Sequence, residues 1–264
     1  MPFAWQDPSS RYRVAVFGSG GGIGQALVAE AANRPAVLQV LAFSSSPRSP
    51  DIPEVDCRTV DILADDSLSN AAETVQDLDL IIVATGTLHA DNYAPERRIS
   101  ELNADAMTEV FRVNTVAPAL IAKHFLPRLR RDRPTAFAAL SARVGSISDN
   151  RLGGWVSYRA SKAALNMVLR TFAIEHVRRR KQSIVVGLHP GTVNTGLSQP
   201  FSGNVPEGQL FSPAQSARHL LHVIGGLQPG DNGRVLAWDG SPIDFFTGND
   251  HFSQQGLSFF SLLF

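Results

Sequence analysis

Val16-Phe17-Gly18-Ser19-Gly20-Gly21-Gly22-Ile23-Gly24 is the stretch that decides the fold. It lies between a short apolar run, 13–17, and a segment, 23–33, where Ala, Leu and Val recur at helical spacing. A strand that ends in glycines and opens straight into a helix makes a tight turn, because glycine adopts backbone angles closed to other residues. The helix behind such a turn presents unpaired N–H groups and the positive end of its dipole, which suits a pyrophosphate. The spacing is informative. The widespread G-x-G-x-x-G pattern fits nowhere: counted from Gly18, Gly20 or Gly22, its third glycine falls on Ile23, Gln25 or Leu27. The pattern that fits is G-x-x-x-G-x-G, as Gly18, Gly22 and Gly24. A merely flexible glycine loop is the plainer reading, and the position between strand and helix argues against it. Ser19, Gly20 and Ile23 join these glycines as candidate dinucleotide contacts.

Outward from this turn, strand-like and helix-like segments alternate. Further strands are expected over 37–43, 58–60, 78–84, 135–140, 183–188 and 234–238. The run 78–84 is continuously apolar but for one residue, as in a strand covered on both faces. Helices are expected over 104–116, 117–130 and 157–180, the last ending in Arg178, Arg179, Arg180 and Lys181, which suits the negative end of the dipole. Another should start at Ser212-Pro213-Ala214-Gln215, where Ser212 and Gln215 form a capping box. The alternation predicts an α/β chain: a single-domain Rossmann fold over 11–246, with a doubly wound, mostly parallel sheet of about seven strands and helices on both faces. Ligands then bind at the carboxyl ends of the strands, at the switch point. The irregular stretch 190–211 holds three prolines and four glycines and reads as a lid or binding loop.

Bulk properties exclude several classes. The chain has 264 residues, 44% of them apolar, and zero formal net charge, so no global field draws it to nucleic acid or an anionic membrane. The single cysteine, Cys57, rules out an internal disulfide and a cysteine-rich metal site, which suits a cytoplasmic protein. No apolar run is long enough for a membrane span, and 1–13 has no leader-like apolar stretch. Histidines 124, 176, 219 and 222 show no metal-ligand spacing to acidic partners, His89 after strand four reads as a surface loop residue and His189 as a packing residue, and no metal is expected. The stretch 247–264 is polar and then mostly apolar; it reads as a poorly ordered or artefactual tail, or else as a subunit-contact segment.

The second motif is Tyr158-Arg159-Ala160-Ser161-Lys162. Four residues apart on a helix, Tyr158 and Lys162 share a face. A nearby ammonium favours the phenolate and should lower the tyrosine pKa, making it a usable acid–base group. Alone, the pair is no more than a common surface neighbourhood.

Together with the glycine turn about 135 residues earlier, it resembles the short-chain dehydrogenase/reductase family, over nearly the whole chain. Val113-Asn114-Thr115 resembles the family's helix asparagine, which steadies a water-bridged contact to the lysine. Asp61-Ile62 resembles the pair that receives the adenine, and Pro190-Gly191-Thr192-Val193-Asn194-Thr195 the segment over the nicotinamide, with Pro190, Gly191, Val193 and Thr195 as contacts. The runs 144–150, 153–155 and 238–240 resemble the branch of C-factor-like and sniffer-like carbonyl reductases.

Two departures stand out. The family's N-N-A-G after strand four is here Val83-Ala84-Thr85-Gly86, where Ala84 and Gly86 still allow close approach to a ribose. The family's substrate-orienting serine falls on Ala142 in Leu140-Ser141-Ala142. Three options follow: Ser141 serves after a register shift, Ser146 reaches in from the loop, or the step has no serine.

Strand two ends Ala42-Phe43-Ser44-Ser45-Ser46-Pro47-Arg48, with no carboxylate to hold a ribose 2′-hydroxyl and repel a 2′-phosphate. Ser44 and Arg48 are candidate phosphate contacts, so NADP(H) is expected in preference to NAD(H). The resemblance thus implies an NADP-dependent oxidoreductase acting on a small carbonyl or alcohol. Tyr158, Lys162, Asn114 and Ser141 would be its catalytic set, Ser146 a second substrate contact, and the molecule a homodimer or homotetramer. The rival is an NAD(P)-binding sensor with little turnover, motivated by Ala142.

Overall fold

The computed structural model describes residues 3–46, 52, 54–198 and 210–245. Its strands are β1 (Tyr12–Phe17), β2 (Val37–Ser44), β3 (Val55–Thr59), β4 (Leu80–Val83), β5 (Thr135–Leu140), β6 (Ser183–His189), β7 (Thr192–Val193), β8 (Leu210–Phe211) and β9 (Val235–Ala237). The helices are α1 (Gly22–Ala32), α2 (Asp65–Glu73), α3 (Ala104–Phe111), α4 (Ala117–Phe125), α5 (Val156–Arg179) and α6 (Pro213–Gly226). Seven strands form one sheet in the order β3-β2-β1-β4-β5-β6-β9, and every pairing in it is parallel. This is a Rossmann sheet with its switch point between β1 and β4.

Alternation along β1 shows why the sheet is doubly wound. Val14 and Val16 pack into one core with Leu27 and Val28 of α1 and Leu220, Leu221 and Ile224 of α6. Ala15 and Phe17 face the other way, into a second core with Leu68 of α2, Ile121 and Phe125 of α4, and Leu165 and Leu169 of α5. Phe17 stacks on Phe43 at 4.6 Å between centroids, and both meet the Phe125 ring edge-on. A strand covered on both sides has no polar face, hence the unbroken apolar runs.

The structure refines the sequence boundaries. The third strand runs from Val55 to Thr59 rather than 58–60. It is a half-exposed edge strand, so no apolar run marks it. Helix α2 is absent from the sequence reading, because only Leu68 and Ala72 of its nine residues are buried and no side chain caps it. The expected helices 104–116 and 117–130 are shorter and continuous: α3 passes through a π turn, Arg112–Val116, into α4. The α6 capping box forms as expected, Gln215 N–H donating to Ser212 Oγ and Ser212 N–H to Gln215 Oε1. Within 190–211, β7 pairs with β8, and residues 199–209 lie outside the described set. So does the 247–264 tail. Upstream of residue 11, Phe3 and Trp5 are buried; their rings stack, and Trp5 Nε1–H donates to the Leu221 carbonyl of α6. No described helix is long and apolar enough to cross a membrane.

Candidate active site

The glycine turn closes on itself after β1. Gly18 N–H and Ser19 N–H both donate to the Phe43 carbonyl, at 2.9 and 3.1 Å, tying the turn to β2. Gly18 has φ +81°, a left-handed angle that favours glycine. A Cβ on Gly24 would overlap the Gly18 carbonyl oxygen, and one on Gly22 would stand 2.9 Å from Thr195 Cγ2. The turn is therefore a cradle that side chains would fill, with the α1 N-terminus behind it.

A cleft of about 390 Å³ opens at this point, at the carboxyl ends of β1, β4, β5 and β6. It gathers Gly22, Ile23, Ala84, Gly86, Ser141, Tyr158, Lys162, Pro190 and Thr195 from five separate stretches of chain. Leu140, Thr85 and Leu197 also line it and escaped the sequence reading. His89, set aside there as a loop residue, has Nε2 3.1 Å from the Gly196 carbonyl oxygen and so links the two rims.

The residues expected at the adenine end lie beside the turn. Gly20 sits over Ser44, whose buried hydroxyl has no hydrogen-bond partner. Val60 N–H donates to the Ser44 carbonyl, which sets Asp61 and Ile62 at the same strand ends. Asp61 Oδ1 accepts from Leu63 N–H in a local turn. Val193 is buried in β7, and Gly191, at φ +80°, packs against the Phe211 and Trp238 rings. Arg48 lies outside the described residues. An orphaned hydroxyl, a glycine cradle and a helix N-terminus together fit a dinucleotide. Among the described residues no cluster of His, Cys, Asp and Glu could hold a metal.

Helix α5 carries Tyr158 and Lys162 on the face toward the cleft. Lys162 is 3% exposed; its Nζ donates to the Leu140 carbonyl at 2.8 Å and lies 5.8 Å from the Tyr158 ring centre. Burial pulls the Lys162 pKa down to about 8 and pushes that of Tyr158 up to about 12. The spacing alone predicts a lowered tyrosine value; in the folded protein desolvation of the phenolate raises it instead. No described group hydrogen-bonds to the Tyr158 hydroxyl, which leaves it for a ligand.

The π turn rotates Asn114 into the interior, where it is fully buried. Asn114 Oδ1 accepts from Thr87 N–H at 2.8 Å, and its amide donates to the Thr87 carbonyl and to Ser161 Oγ. A Cβ on Gly86 would lie 3.4 Å from Asn114 Oδ1 and 3.6 Å from Lys162 Nζ, so all three border one small space.

The serines are engaged elsewhere. Ser141 forms part of the cleft wall, but its hydroxyl donates to Asn166 Oδ1 at 2.5 Å. Ser146 does not line the cleft; its hydroxyl donates to the Asp244 carbonyl, and the side chain is buried.

Residues 13–205 match the short chain dehydrogenase family model, and the chain belongs to that family of oxidoreductases. Among curated relatives, C-signal of Myxococcus xanthus is 34% identical over 137 residues, 52% of this chain and 77% of that protein. The 1-hydroxy-2-glutathionyl-2-methyl-3-butene dehydrogenase of Rhodococcus sp. (strain AD45) is 31% identical over 186 residues, covering 69% of this chain and 76% of the other. Among solved structures, the NADPH-bound carbonyl reductase from chicken fatty liver superposes with a TM-score of 0.76 at 26% identity, over 88% of this chain and 93% of its own. The carbonyl reductase Sniffer of D. melanogaster, at 21% identity and TM-score 0.75 over 88% and 99%, shares the fold.

Proposed function

We propose that this protein is an NADP(H)-dependent oxidoreductase that interconverts a carbonyl and an alcohol, with Tyr158 as the acid–base group. The observation that carries this reading is the Tyr158 hydroxyl, unclaimed by any described group, in the same cleft as the glycine cradle and beside Lys162. The nicotinamide, when bound, supplies or accepts the hydride. Tyr158 gives its proton to the carbonyl oxygen in reduction and takes it from the alcohol in oxidation. Lys162 orients the phenol and holds a ribose hydroxyl. Asn114 holds the bridging water beside Lys162, in the space bordered by Gly86. Since Ser141 and Ser146 both spend their protons on protein acceptors, the reaction proceeds without a serine donor.

Gly18, Ser19, Gly20, Gly22, Ile23 and Gly24 receive the pyrophosphate, Asp61 and Ile62 the adenine, and Ala84 and Gly86 the ribose. Pro190, Gly191, Val193 and Thr195 cover the nicotinamide. Preference for NADP(H) rests on the absence of a carboxylate at the end of β2 and on the unpartnered Ser44 hydroxyl, with Arg48 as a further phosphate contact. The NADPH in the carbonyl reductase from chicken fatty liver, 26% identical to this chain, is in keeping with this choice. The exposed apolar side chains of Met167 and Ile174 on α5 support a homo-oligomer, dimer or tetramer, which sedimentation would measure.

The test is a panel of aldehydes and ketones assayed with NADPH and with NADH. Reduction driven by NADPH is expected, and a clear NADH preference overturns the cofactor assignment. Tight NADPH binding with no reduction of any carbonyl favours the second reading, a cofactor-binding sensor, for which the missing serine donor is the specific observation.

A further inference from the structure

Helix α5 begins without a cap of its own. Gly153, Gly154 and Trp155 run through three left-handed angles, φ 64°, 65° and 52°, and Trp155 at the N-cap offers no side-chain acceptor. The unpaired N–H groups of a first turn need acceptors. Here they come from Glu96, 61 residues upstream of Ser157. Glu96 Oε2 accepts from Ser157 N–H at 3.2 Å, and Oε1 accepts from the Ser157 hydroxyl. The Glu96 carbonyl accepts from Trp155 N–H at 2.5 Å. Glu96 is 5% exposed, and its carboxylate meets the positive end of a 24-residue helix. On the far side of the turn, Arg159 Nε–H donates to the Gly154 carbonyl.

Ser157 directly precedes Tyr158, so the group that fixes the Ser157 N–H also fixes where the phenol stands. We infer that Glu96 is a positioning residue for Tyr158: its carboxylate clamps the first turn of α5 and holds the hydroxyl in register with the cleft. Glu96 does not itself line that cleft; its other side borders a separate cavity with Glu101, Asp105 and Glu109. The inference rests on the reading of Tyr158 as the acid–base group. Its size follows from the sensitivity of proton transfer to placement, where a 1 Å error costs on the order of 100-fold.

The test compares Glu96→Ala, Glu96→Gln and Glu96→Asp in the full chain. Gln keeps both contacts, its oxygen accepting from Ser157 N–H and its amide donating to Ser157 Oγ. E96A should lower kcat about 30-fold with the NADPH Kd within about threefold, while E96Q stays within about threefold of wild type in both. E96A should also speed amide hydrogen exchange across 155–162 about tenfold or more, and E96Q should not. An E96A kcat within twofold of wild type overturns the inference, as does equal loss of kcat and NADPH affinity in both E96A and E96Q. If E96A does not fold, E96D decides: a carboxylate withdrawn by one methylene should cut kcat about tenfold, and wild-type kcat overturns the clamp. If the wild-type protein reduces no carbonyl, the exchange measurement still separates the two claims. Faster exchange in E96A keeps the clamp while the catalytic reading falls; unchanged exchange overturns the clamp.

Discussion

The Ser141 hydroxyl donates to Asn166 Oδ1 at 2.5 Å, and the Asn166 amide leans on the Gly145 carbonyl at 3.4 Å. Ser141 is one residue before the position where the family places its substrate-orienting hydroxyl, yet it points into the layer between the sheet and α5. There it braces the helix that carries Tyr158 and Lys162. Its single proton is spent, so it has none for a carbonyl oxygen.

Restoring a donor at the neighbouring position should therefore help. Ala142→Ser is expected to raise kcat/KM for carbonyl reduction about tenfold or more, because one added donor to a developing oxyanion contributes about 2 kcal/mol or more. Steady-state kinetics on the best substrate of the panel measures it. No gain, with the fold intact by circular dichroism, would remove the missing serine as a limit on rate. Ser141→Ala should leave kcat within a few-fold but lower stability by about 1–2 kcal/mol, since the buried Asn166 oxygen loses its donor.

Tyr158→Phe should reduce turnover at least about 100-fold while NADPH still binds, because only the proton-transfer group is removed. Titration of NADPH fluorescence against the variant checks binding. Turnover near the wild-type level would refute the assignment of Tyr158.

Lys162 offers a separation of stability from activity. Its pKa of about 8 lies below its ordinary 10.5 because burial disfavours the ammonium. Below about pH 8 the native state holds this cation against that cost, and from about 8 to 10.5 the unfolded chain binds more protons than the native one. Stability from this group therefore rises with pH across that window. Lys162→Met should lose activity yet show a higher Tm than wild type at pH 7. A lower Tm would mean that the bond to the Leu140 carbonyl outweighs desolvation.

The two directions of reaction should diverge with pH. With the Tyr158 pKa pushed up to about 12, the phenol is protonated and ready to donate throughout the neutral range. Reduction should be flat near neutrality and fall above about pH 8 as Lys162 loses its charge. Oxidation, which needs the phenolate as proton acceptor, should increase with pH instead. Parallel pH profiles in the two directions would contradict this assignment of the proton carrier.

Acid stability should depend on two buried imidazoles. Burial lowers the pKa values of His176 and His189 to about 4, and each has a ring nitrogen without a partner, Nε2 and Nδ1 respectively. Both are neutral in the native state, whereas the unfolded chain takes up their protons near pH 6.5. Their contribution is complete above about pH 6.5 and is lost as pH falls toward 4. Between pH 7 and 5 the Tm should fall by about 5 °C more in wild type than in a His176→Gln, His189→Gln double variant. Equal falls would show that other groups govern acid unfolding.

The sequence already carried the frame of the site. Apolar runs marked the strands that both cores cover, and the glycine spacing located the turn, because both are local properties of a few consecutive residues. Helix α2 escaped because its burial is confined to Leu68 and Ala72. Glu96 escaped because one acid in a loop has no local signature; its partners are 59 or more residues away along the chain. Leu197 became a cleft residue, and His89 a tie to Gly196 on the opposite rim, only when the loops after β4 and β7 met.

By itself, then, the sequence determined the Gly18, Gly22 and Gly24 turn between β1 and α1, the strand–helix alternation, and the shared helix face of Tyr158 and Lys162. Each follows from backbone geometry at short range. Only the tertiary structure decided that Ser141 turns to Asn166, that Asn114 swings inward on a π turn, that Tyr158 is held protonated, and that Glu96 caps α5. Those outcomes depend on which donors, acceptors and apolar surfaces meet across elements far apart in sequence. Hydrogen-bond commitment and desolvation are set by that meeting, and no spacing along the chain encodes them.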